Sequence, residues 1–162
     1  MVTFYPVTEN DLGSIMEIYD HYILNSTVTF HSEKITVPEL REFLFIACPK
    51  YPSFILEENE GIIGYCFLTQ YKKRTAYDRT AELSLYLKPA YTGRGIGTLA
   101  LRYLEDAAKK AGICVLVGTL CTENLASIRL LKKSGYIRCA YLKNIGEKFG
   151  KILDVVIYQK EL

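Results

Sequence analysis

Hydrophobic positions along this chain recur with two different periods, and each period predicts one type of element. A short strand is predicted at Thr3–Pro6, followed by a helix that Thr8 caps. The apolar face of that helix consists of Leu12, Ile15, Met16, Tyr19, Tyr22 and Ile23. The sequence TVPE at Thr36–Glu39 is a capping box with proline in the first turn, which predicts a second helix reaching about Ala47.

The middle of the chain has the pattern of a hairpin followed by a β-α-β unit. Two apolar runs flank Glu58–Gly61, as in a hairpin, and the strand TAELSLYL follows a charged loop. After a glycine-rich loop, an apolar helical stripe runs from Ile96 to Ala108, and Gly112 ends that helix. The apolar run CVLVGTL then predicts a buried strand.

The last third of the chain predicts one more helix and a second hairpin. The helix runs from Asn124 to about Ser134 and is ended by Gly135, and the strands lie near Ile137–Leu142 and Ile152–Gln159. This order of elements predicts an α/β fold with a mixed sheet and helices on its faces. The 162-residue length suits a single domain over residues 1–162.

Composition and charge exclude several classes of protein. Hydrophobic residues make up 49% and charged residues 23% of the chain, which argues against disorder. The net charge of +2 is too small for a nucleic-acid groove or an anionic membrane surface, and no apolar stretch approaches the ~18 residues of a membrane span. The N-terminus lacks the layout of a signal peptide. Five cysteines without CxxC spacing predict reduced, mostly buried thiols in a cytoplasmic protein, with neither a disulfide framework nor a metal site.

The glycine-rich loop is the first candidate for chemistry. Gly93, Gly95 and Gly97 stand at every second position before a helix, and Arg94 lies among them. Bare backbone N–H groups at a helix start, with an added cation, suit a phosphate or pyrophosphate, although a tightly packed turn would explain the same glycines. The loop lacks the lysine and hydroxyl of a Walker motif. A dinucleotide fingerprint fits G-x-G-x-x-A but lies too far from its strand, in too short a chain.

Two segments resemble the cofactor-binding motifs of the GCN5-related N-acetyltransferases (GNAT). The sequence TGRGIGTLAL resembles the acetyl-CoA pyrophosphate loop, [QR]-x-x-G-x-[GA], with Thr92 where glutamine or arginine is usual. The sequence NLASIRLLKKSGY is similar to the family's second segment, N-x-x-[AS]-x-x-[LM]-x-x-x-x-G-[FY]. Its matching positions are Asn124, Ser127, Leu130, Gly135 and Tyr136.

Three further segments resemble the phosphinothricin acetyltransferase-like branch of that family: IYDHYILNSTVTF, YKKRTAYDRTAELSLYL and KFGKILDVVIYQ. The resemblance implies a GNAT-type fold, with a mixed sheet of about six to seven strands flanked by about four helices. It implies transfer of acetyl from acetyl-CoA to the amine of a small molecule, such as an amino acid or its analogue, by a homodimer. The implied cofactor contacts are Leu85, Tyr86, Leu87, Gly93, Arg94, Gly95, Ile96, Gly97, Thr98, Asn124 and Ser127.

Glu82 is the candidate general base. Strand alternation places Glu82, Ser84 and Tyr86 on one face of TAELSLYL, and Glu82 matches the glutamate that serves as the base in this branch. An ordinary salt bridge to Arg79 is the alternative. Neutralising an α-amine of pKa ~8 at pH 7 costs ~1.4 kcal/mol, against about 4.6 kcal/mol for a lysine ε-amine, which favours a small amine over a protein lysine.

Other positions bear on the acceptor and on the leaving thiolate. Arg74 and Tyr77 match the branch's acceptor-binding loop, although Arg74 is equally explained as a solvated surface charge; Phe30 is either a pocket wall or core. Leu131 stands where a tyrosine or histidine commonly protonates the thiolate, so another tyrosine would have to substitute or the acid is absent. A non-catalytic acetyl-CoA-binding module and acetylation of a protein amine therefore remain open.

Overall fold

The computed structural model describes residues 1–162, which form seven strands and four helices. The strands are β1 (Thr3–Pro6), β2 (Ser53–Glu58), β3 (Gly61–Gln70), β4 (Thr80–Leu87), β5 (Val115–Cys121), β6 (Ile137–Lys148) and β7 (Lys151–Glu161). The helices are α1 (Leu12–Asn25), α2 (Val37–Leu40), α3 (Ile96–Lys110) and α4 (Leu125–Lys133). The predicted mixed α/β fold is confirmed, with its numbers of strands and helices.

All seven strands belong to one sheet, in the order β1-β2-β3-β4-β5-β7-β6. Every neighbouring pair is antiparallel except β4 and β5, which are parallel and are joined through α3. The predicted β-α-β unit therefore lies at the centre of the sheet. The two predicted hairpins, β2–β3 and β6–β7, flank it.

Two apolar cores lie on the two faces of the sheet. On one face, α3 and α4 pack on the sheet through residues such as Leu101, Leu104 and Leu131. On the other face, α1 and α2 pack through a second cluster that includes Ile15 and Leu40. Strand β4 contributes to both cores, because its side chains alternate between the two faces.

The entry into α1 follows the sequence pattern. The backbone N–H and the hydroxyl of Thr8 each donate to Asp11 Oδ2 at 2.7 Å, and a single 3-10 turn at Glu9–Asp11 leads into the helix. The buried positions of α1 repeat at helical spacing and form its inner face: Leu12, Ile15, Ile18, Tyr19 and Ile23.

The predicted extent of α2 is wrong. The capping box is present, since the Thr36 N–H donates to Glu39 Oε2 at 2.7 Å, but the helix ends at Leu40 rather than near Ala47. Beyond Leu40, i to i−3 bonds such as Phe43 N–H to Leu40 O are mixed with the i to i−4 bond from Leu44 N–H to Leu40 O, after which the ladder stops. Ala47 has φ +53°, which a right-handed helix does not accommodate.

Strand β6 is longer than predicted, ending at Lys148 rather than near Leu142. Its pairing with β7 shifts register between Leu142 and Gly146, and Asn144 within this irregularity has φ +54°. Such a bulge breaks the alternation of apolar and polar residues, which explains why the pattern predicted an earlier end.

Two further features of the fold are the burial of its cysteines and the length and polarity of its helices. All five cysteines are free; Cys66 and Cys121 are buried, but Cys114 and Cys139 are exposed, so burial is less general than predicted. None of the helices combines the length and the apolar character needed to cross a membrane.

Candidate active site

The parallel pair β4–β5 opens into a gap at the centre of the sheet. The two strands pair only over Thr80–Glu82 and Val115–Val117. Beyond Glu82, β4 continues to Leu87 with β3 as its only partner, and β5 continues with β7 as its only partner. The gap therefore exposes a strand edge inside the sheet.

Backbone groups of β4 point into this gap. Successive residues of a strand direct their N–H and C=O groups to opposite neighbours. The Lys88 N–H bonds Ile63 O on the β3 side, whereas Arg79 O accepts from the β5 side. The N–H and C=O groups of the odd-numbered residues of β4 therefore point toward β5. Those of Leu85 have no partner there, because the two strands no longer pair at this position. The Leu87 carbonyl accepts a bond from the Tyr22 hydroxyl at 2.5 Å.

The glycine-rich loop between β4 and α3 presents a row of free donors. The five consecutive N–H groups from Gly93 to Gly97 donate to no protein group, and the first N–H groups bonded to the loop are those of Thr98 and Leu99, both to Gly95 O. Gly93 (φ +73°) and Gly95 (φ +80°) are left-handed, and the space where their Cβ atoms would lie is open. This arrangement of bare N–H groups at the start of a 15-residue helix can bind an anion.

The third glycine and Arg94 have different surroundings. A Cβ at Gly97 would lie 3.2 Å from Leu130 Cδ2, so this glycine permits close packing of α3 on α4. Arg94 forms a salt bridge to Glu58 at 2.9 Å and lies over the Tyr91 ring at 5.1 Å. The positive charge of the loop is therefore partly offset by a carboxylate at the end of β2.

The start of α4 is capped by two of the predicted cofactor residues. The side-chain oxygen of Asn124 accepts the Ser127 N–H at 3.2 Å. This bond fixes the first turn of α4, the helix that follows β5 in the chain.

A cavity of about 290 Å³ brings Glu82 together with residues of the loop between α1 and α2. It spans the two diverging strands, since Thr119 of β5 lines it together with residues of β4. Glu82 forms neither a salt bridge nor a hydrogen bond, so the predicted alternative of an ion pair with Arg79 is not observed. The full lining is Tyr19, Val28, Thr29, Phe30, His31, Glu82, Ser84, Tyr86 and Thr119.

A chain of hydrogen bonds forms one wall of this cavity. The Tyr19 hydroxyl lies 2.8 Å from Thr29 Oγ1 and 2.6 Å from His31 Nδ1. Burial raises the pKa of the Tyr19 hydroxyl, and burial likewise raises the pKa of Tyr86. The hydrophobic pattern identified Tyr19 only as a core residue. Thr29 lies in the segment IYDHYILNSTVTF, which resembles the branch, but the sequence gave neither Thr29 nor His31 a role in the cavity. The loop that brings them to Tyr19 has no periodic pattern.

The three predicted acceptor residues are not brought together. Phe30 lines the cavity and is 44% exposed, so it is a wall rather than a core residue. Arg74 and Tyr77 line a separate hollow with Lys72 and Lys73, and Arg74 forms no salt bridge.

Comparison with known proteins identifies the family. The sequence model of the acetyltransferase (GNAT) family matches residues 15–136. The chain belongs to this family. A phosphinothricin N-acetyltransferase of Streptomyces coelicolor is 30% identical over 97% of this chain and 94% of the relative. A methionine sulfoximine/methionine sulfone acetyltransferase of Salmonella typhimurium is 31% identical over 94% of this chain and 90% of its own. The predicted family, its branch and the N-acetyltransferase class are confirmed.

Solved structures of similar proteins have the same fold. A GNAT phosphinothricin acetyltransferase from Sinorhizobium meliloti, in complex with acetyl-CoA, is 28% identical, with a TM-score of 0.91 over 99% of this chain and 88% of that chain. A putative acetyltransferase from Salmonella typhimurium, also with acetyl-CoA, is 29% identical, with a TM-score of 0.89 over 99% of this chain and 94% of that chain.

As a GNAT protein, the chain departs from the family pattern at Leu131. This side chain is 2% exposed, and a Cβ at Gly118 would lie only 2.8 Å from its Cδ1 atom. Leu131 is therefore packed between α4 and β5, away from solvent. Its position supplies no proton donor.

Proposed function

We propose that the protein transfers acetyl from acetyl-CoA to the primary amine of a small, amino-acid-like molecule, with Glu82 as the general base. The observation that carries this proposal is the unpaired Glu82 carboxylate, which lines a cavity at the point where β4 and β5 separate. A carboxylate without a cationic partner, inside a cavity wide enough for a small amine, is suited to accept the proton of an ammonium group.

The cofactor would lie along the exposed donors of β4 and α3. The N–H groups of Gly93 to Gly97 suit the pyrophosphate of coenzyme A, and Arg94 is placed to exchange Glu58 for a phosphate oxygen. The free backbone groups of Leu85 suit an amide of the pantetheine arm, and the Leu87 N–H points into the same gap. The side chain of Tyr86 lies in the cavity instead.

The remaining predicted cofactor residues follow from the same placement. Ile96 and Thr98 belong to the first turn of α3, beside the free N–H groups, and Asn124 and Ser127 form the first turn of α4 across the gap. We propose that these first turns border the bound cofactor.

The reaction requires deprotonation of the acceptor ammonium and departure of the coenzyme A thiolate. The acceptor ammonium loses its proton to Glu82, directly or through one water, and the free amine attacks the thioester carbonyl. Unpaired backbone N–H groups in the gap are available to stabilise the oxyanion. The carbon–sulfur bond then breaks with its electron pair on sulfur. A thiol of pKa ~8.5 is an adequate leaving group near neutral pH without a dedicated acid.

The charge of the cavity lining favours a cationic or neutral acceptor group over an anionic one. Glu82 is the only carboxylate that lines it, no lysine or arginine does, and the other walls are aromatic, aliphatic or hydroxyl side chains and the imidazole of His31. A substrate carboxylate would have to reach outside this cavity. Arg74, exposed and without an ion pair, is our candidate for that contact, together with Tyr77.

A screen of thiol release tests this proposal. Acetyl-CoA would be incubated with the protein and a panel of amino acids, methionine sulfoximine, phosphinothricin, polyamines and a lysine-containing peptide. Turnover with at least one small amine is expected, and Glu82→Gln should abolish most of it. Binding of coenzyme A without thiol release in the presence of any acceptor would instead favour the non-catalytic acetyl-CoA-binding module. The absence of an acid at Leu131 is the observation that favours this alternative.

We also propose a homodimer formed through the β6–β7 hairpin. Strand β6 is an edge strand, and this hairpin carries a group of large apolar side chains that are at least one-third exposed. A concentration of exposed apolar side chains on an edge hairpin is typical of an interface. These side chains are Ile137, Tyr141, Leu142, Ile145, Phe149 and Ile152.

A further inference from the structure

The cavity loop, residues 27–31, is held from outside by segments that are distant in sequence. The Thr27 hydroxyl donates to Glu123 Oε2 at 2.6 Å, and the Thr29 carbonyl accepts from Lys148 Nζ at 2.9 Å. Thr29 is therefore held from two directions, because its hydroxyl also contacts Tyr19 on the cavity side. These contacts join the loop to the β5–α4 connection and to the tip of the β6–β7 hairpin.

Lys148 is an unusual residue for the tip of a hairpin. The residue is only 3% exposed, and its side chain forms no salt bridge. Its single hydrogen bond is the one to Thr29 O, and burial lowers the pKa of its ammonium group. The ammonium also lies 5.1 Å from the centre of the Phe149 ring, but no carboxylate neutralises it. Burial of an ammonium without a carboxylate partner opposes folding, and the bond to Thr29 O links this lysine to the cavity loop.

The hairpin tip is a tight turn that places a second lysine on the same network. Phe149 (φ +53°) and Gly150 (φ +70°) form the two-residue turn, which is closed by the pair Lys148 and Lys151. The Lys151 ammonium donates to Glu123 Oε1 at 2.6 Å. Glu123 thus bridges Lys151 to Thr27, so the turn contacts the cavity loop directly at Thr29 and, through Glu123, indirectly at Thr27.

We propose that the β6–β7 turn is a latch that fixes the cavity loop and thereby determines acceptor affinity, with Lys148 as its principal positioning residue. This inference rests on the proposed function, because the loop carries Phe30 and Thr29 into the cavity that faces Glu82. Lys148 does not line the cavity, so its effect passes through the Thr29 carbonyl. Release of the latch leaves the glycine-rich loop and the gap unchanged.

The kinetic test uses Lys148→Met, with Lys143→Met as the matched control. Lys143 lies on the same strand, is exposed and forms no hydrogen bond or salt bridge. We expect Lys148→Met to raise the KM for the amine about tenfold or more and to leave the KM for acetyl-CoA within twofold. Lys143→Met should change neither constant. An unchanged amine KM in Lys148→Met overturns the proposal.

Hydrogen exchange of the ligand-free protein gives a readout that does not depend on acetyl transfer. The amides of residues 27–31 should exchange at least tenfold faster in Lys148→Met than in wild type, while amides of β3 and β4 keep their rates. Equal acceleration across the sheet would show a general loss of stability and would overturn the latch. Failure of the wild type to acetylate any amine would refute the proposed function, and exchange would still decide the latch.

Thr27→Val provides a second variant in case Lys148→Met does not fold. It removes the hydroxyl that bonds Glu123 and keeps the volume of the side chain, in a residue at the protein surface. The same selective increases in loop exchange and in amine KM are expected. Wild-type behaviour of both Thr27→Val and Lys148→Met would contradict the latch.

Discussion

The role proposed for Glu82 depends on the strand that carries it rather than on a bonded partner. The carboxylate lacks an ion pair, yet it faces the cavity because β4 alternates its side chains between the two faces of the sheet. This orientation was predictable from the sequence TAELSLYL alone. The contact between Tyr19 and His31 was not predictable, because it joins a helix to a loop whose path is fixed by distant segments, including Lys148.

Leu131 provides a prediction about the missing proton donor. Replacing it with tyrosine should not create an acid, because the larger ring would overpack the contact with Gly118. We expect Leu131→Tyr to lower the free energy of unfolding by about 1–3 kcal/mol and to leave kcat unchanged or reduced. Thermal unfolding and thiol release measure these effects, with Leu131→Met as the volume-conserving control. A tenfold rise in kcat would show that the position does face the leaving sulfur.

Glu123 provides a prediction about acid sensitivity. Its pKa is lowered by Lys151 and by the Thr27 hydroxyl, so folding favours the charged carboxylate. The resulting stabilisation is fully present above the unfolded-state pKa of about 4.3 and is lost as pH falls through the lower folded-state value. The unfolding midpoints of wild type and Glu123→Gln should therefore differ at pH 6, and the difference should shrink as the pH falls below the unfolded-state pKa. A difference that persists unchanged at pH 3 would exclude this linkage.

Among the elements, the loop at the start of α3 provides the sharpest contrast between two glycines. Gly95 is left-handed, whereas Gly13 lies within α1 with no atom within 4 Å of its missing Cβ. We expect Gly95→Ala to cost about 1–2 kcal/mol of stability and to weaken coenzyme A binding at least tenfold. Gly13→Ala should stabilise the protein by about 0.4–1 kcal/mol and leave binding unchanged. Calorimetric titration and thermal unfolding measure both effects, and equal affinities in the two variants would refute the pyrophosphate assignment.

Elements with one uninterrupted period were predicted well, and those with a local irregularity were not. The apolar stripe of α3 and its C-terminal Gly112 gave the correct limits of that helix. The capping box at Thr36 gave the correct start of α2, but no local signal marked its end at Leu40. The bulge at Asn144 likewise concealed the second half of β6. Tertiary packing decides such ends.

At the scale of the whole molecule, the exposed hairpin face predicts the oligomeric state. Ile152 is 59% exposed on β7, and Tyr5 is 50% exposed on β1, at the opposite edge of the sheet. We expect the wild type and Tyr5→Glu to be dimers and Ile152→Glu to be a monomer, because a buried, unpaired carboxylate opposes association. Light scattering after size-exclusion chromatography measures the mass of each. A monomeric wild type would contradict the proposed interface.

The whole arrangement brings together the glycine-rich loop with its free N–H groups, a gap with free backbone groups and a cavity that Glu82 lines. The sequence motifs singled out the loop and Glu82 as candidates. The gap was not predictable from the motifs, because it arises where β4 and β5 cease to pair, after Glu82 and Val117. The gap depends on the divergence of two strands, which no local pattern reports.

The most direct test of this account is the rate of thiol release from acetyl-CoA by Glu82→Gln, measured from pH 6 to pH 9 with a saturating amine acceptor. The account predicts a kcat at least 10²-fold below that of the wild type, with coenzyme A affinity unchanged because the glycine-rich loop is intact. The deficit should shrink toward pH 9, as the acceptor amine becomes neutral without a base. A wild-type rate and pH profile in Glu82→Gln would contradict the assignment of Glu82 as the base.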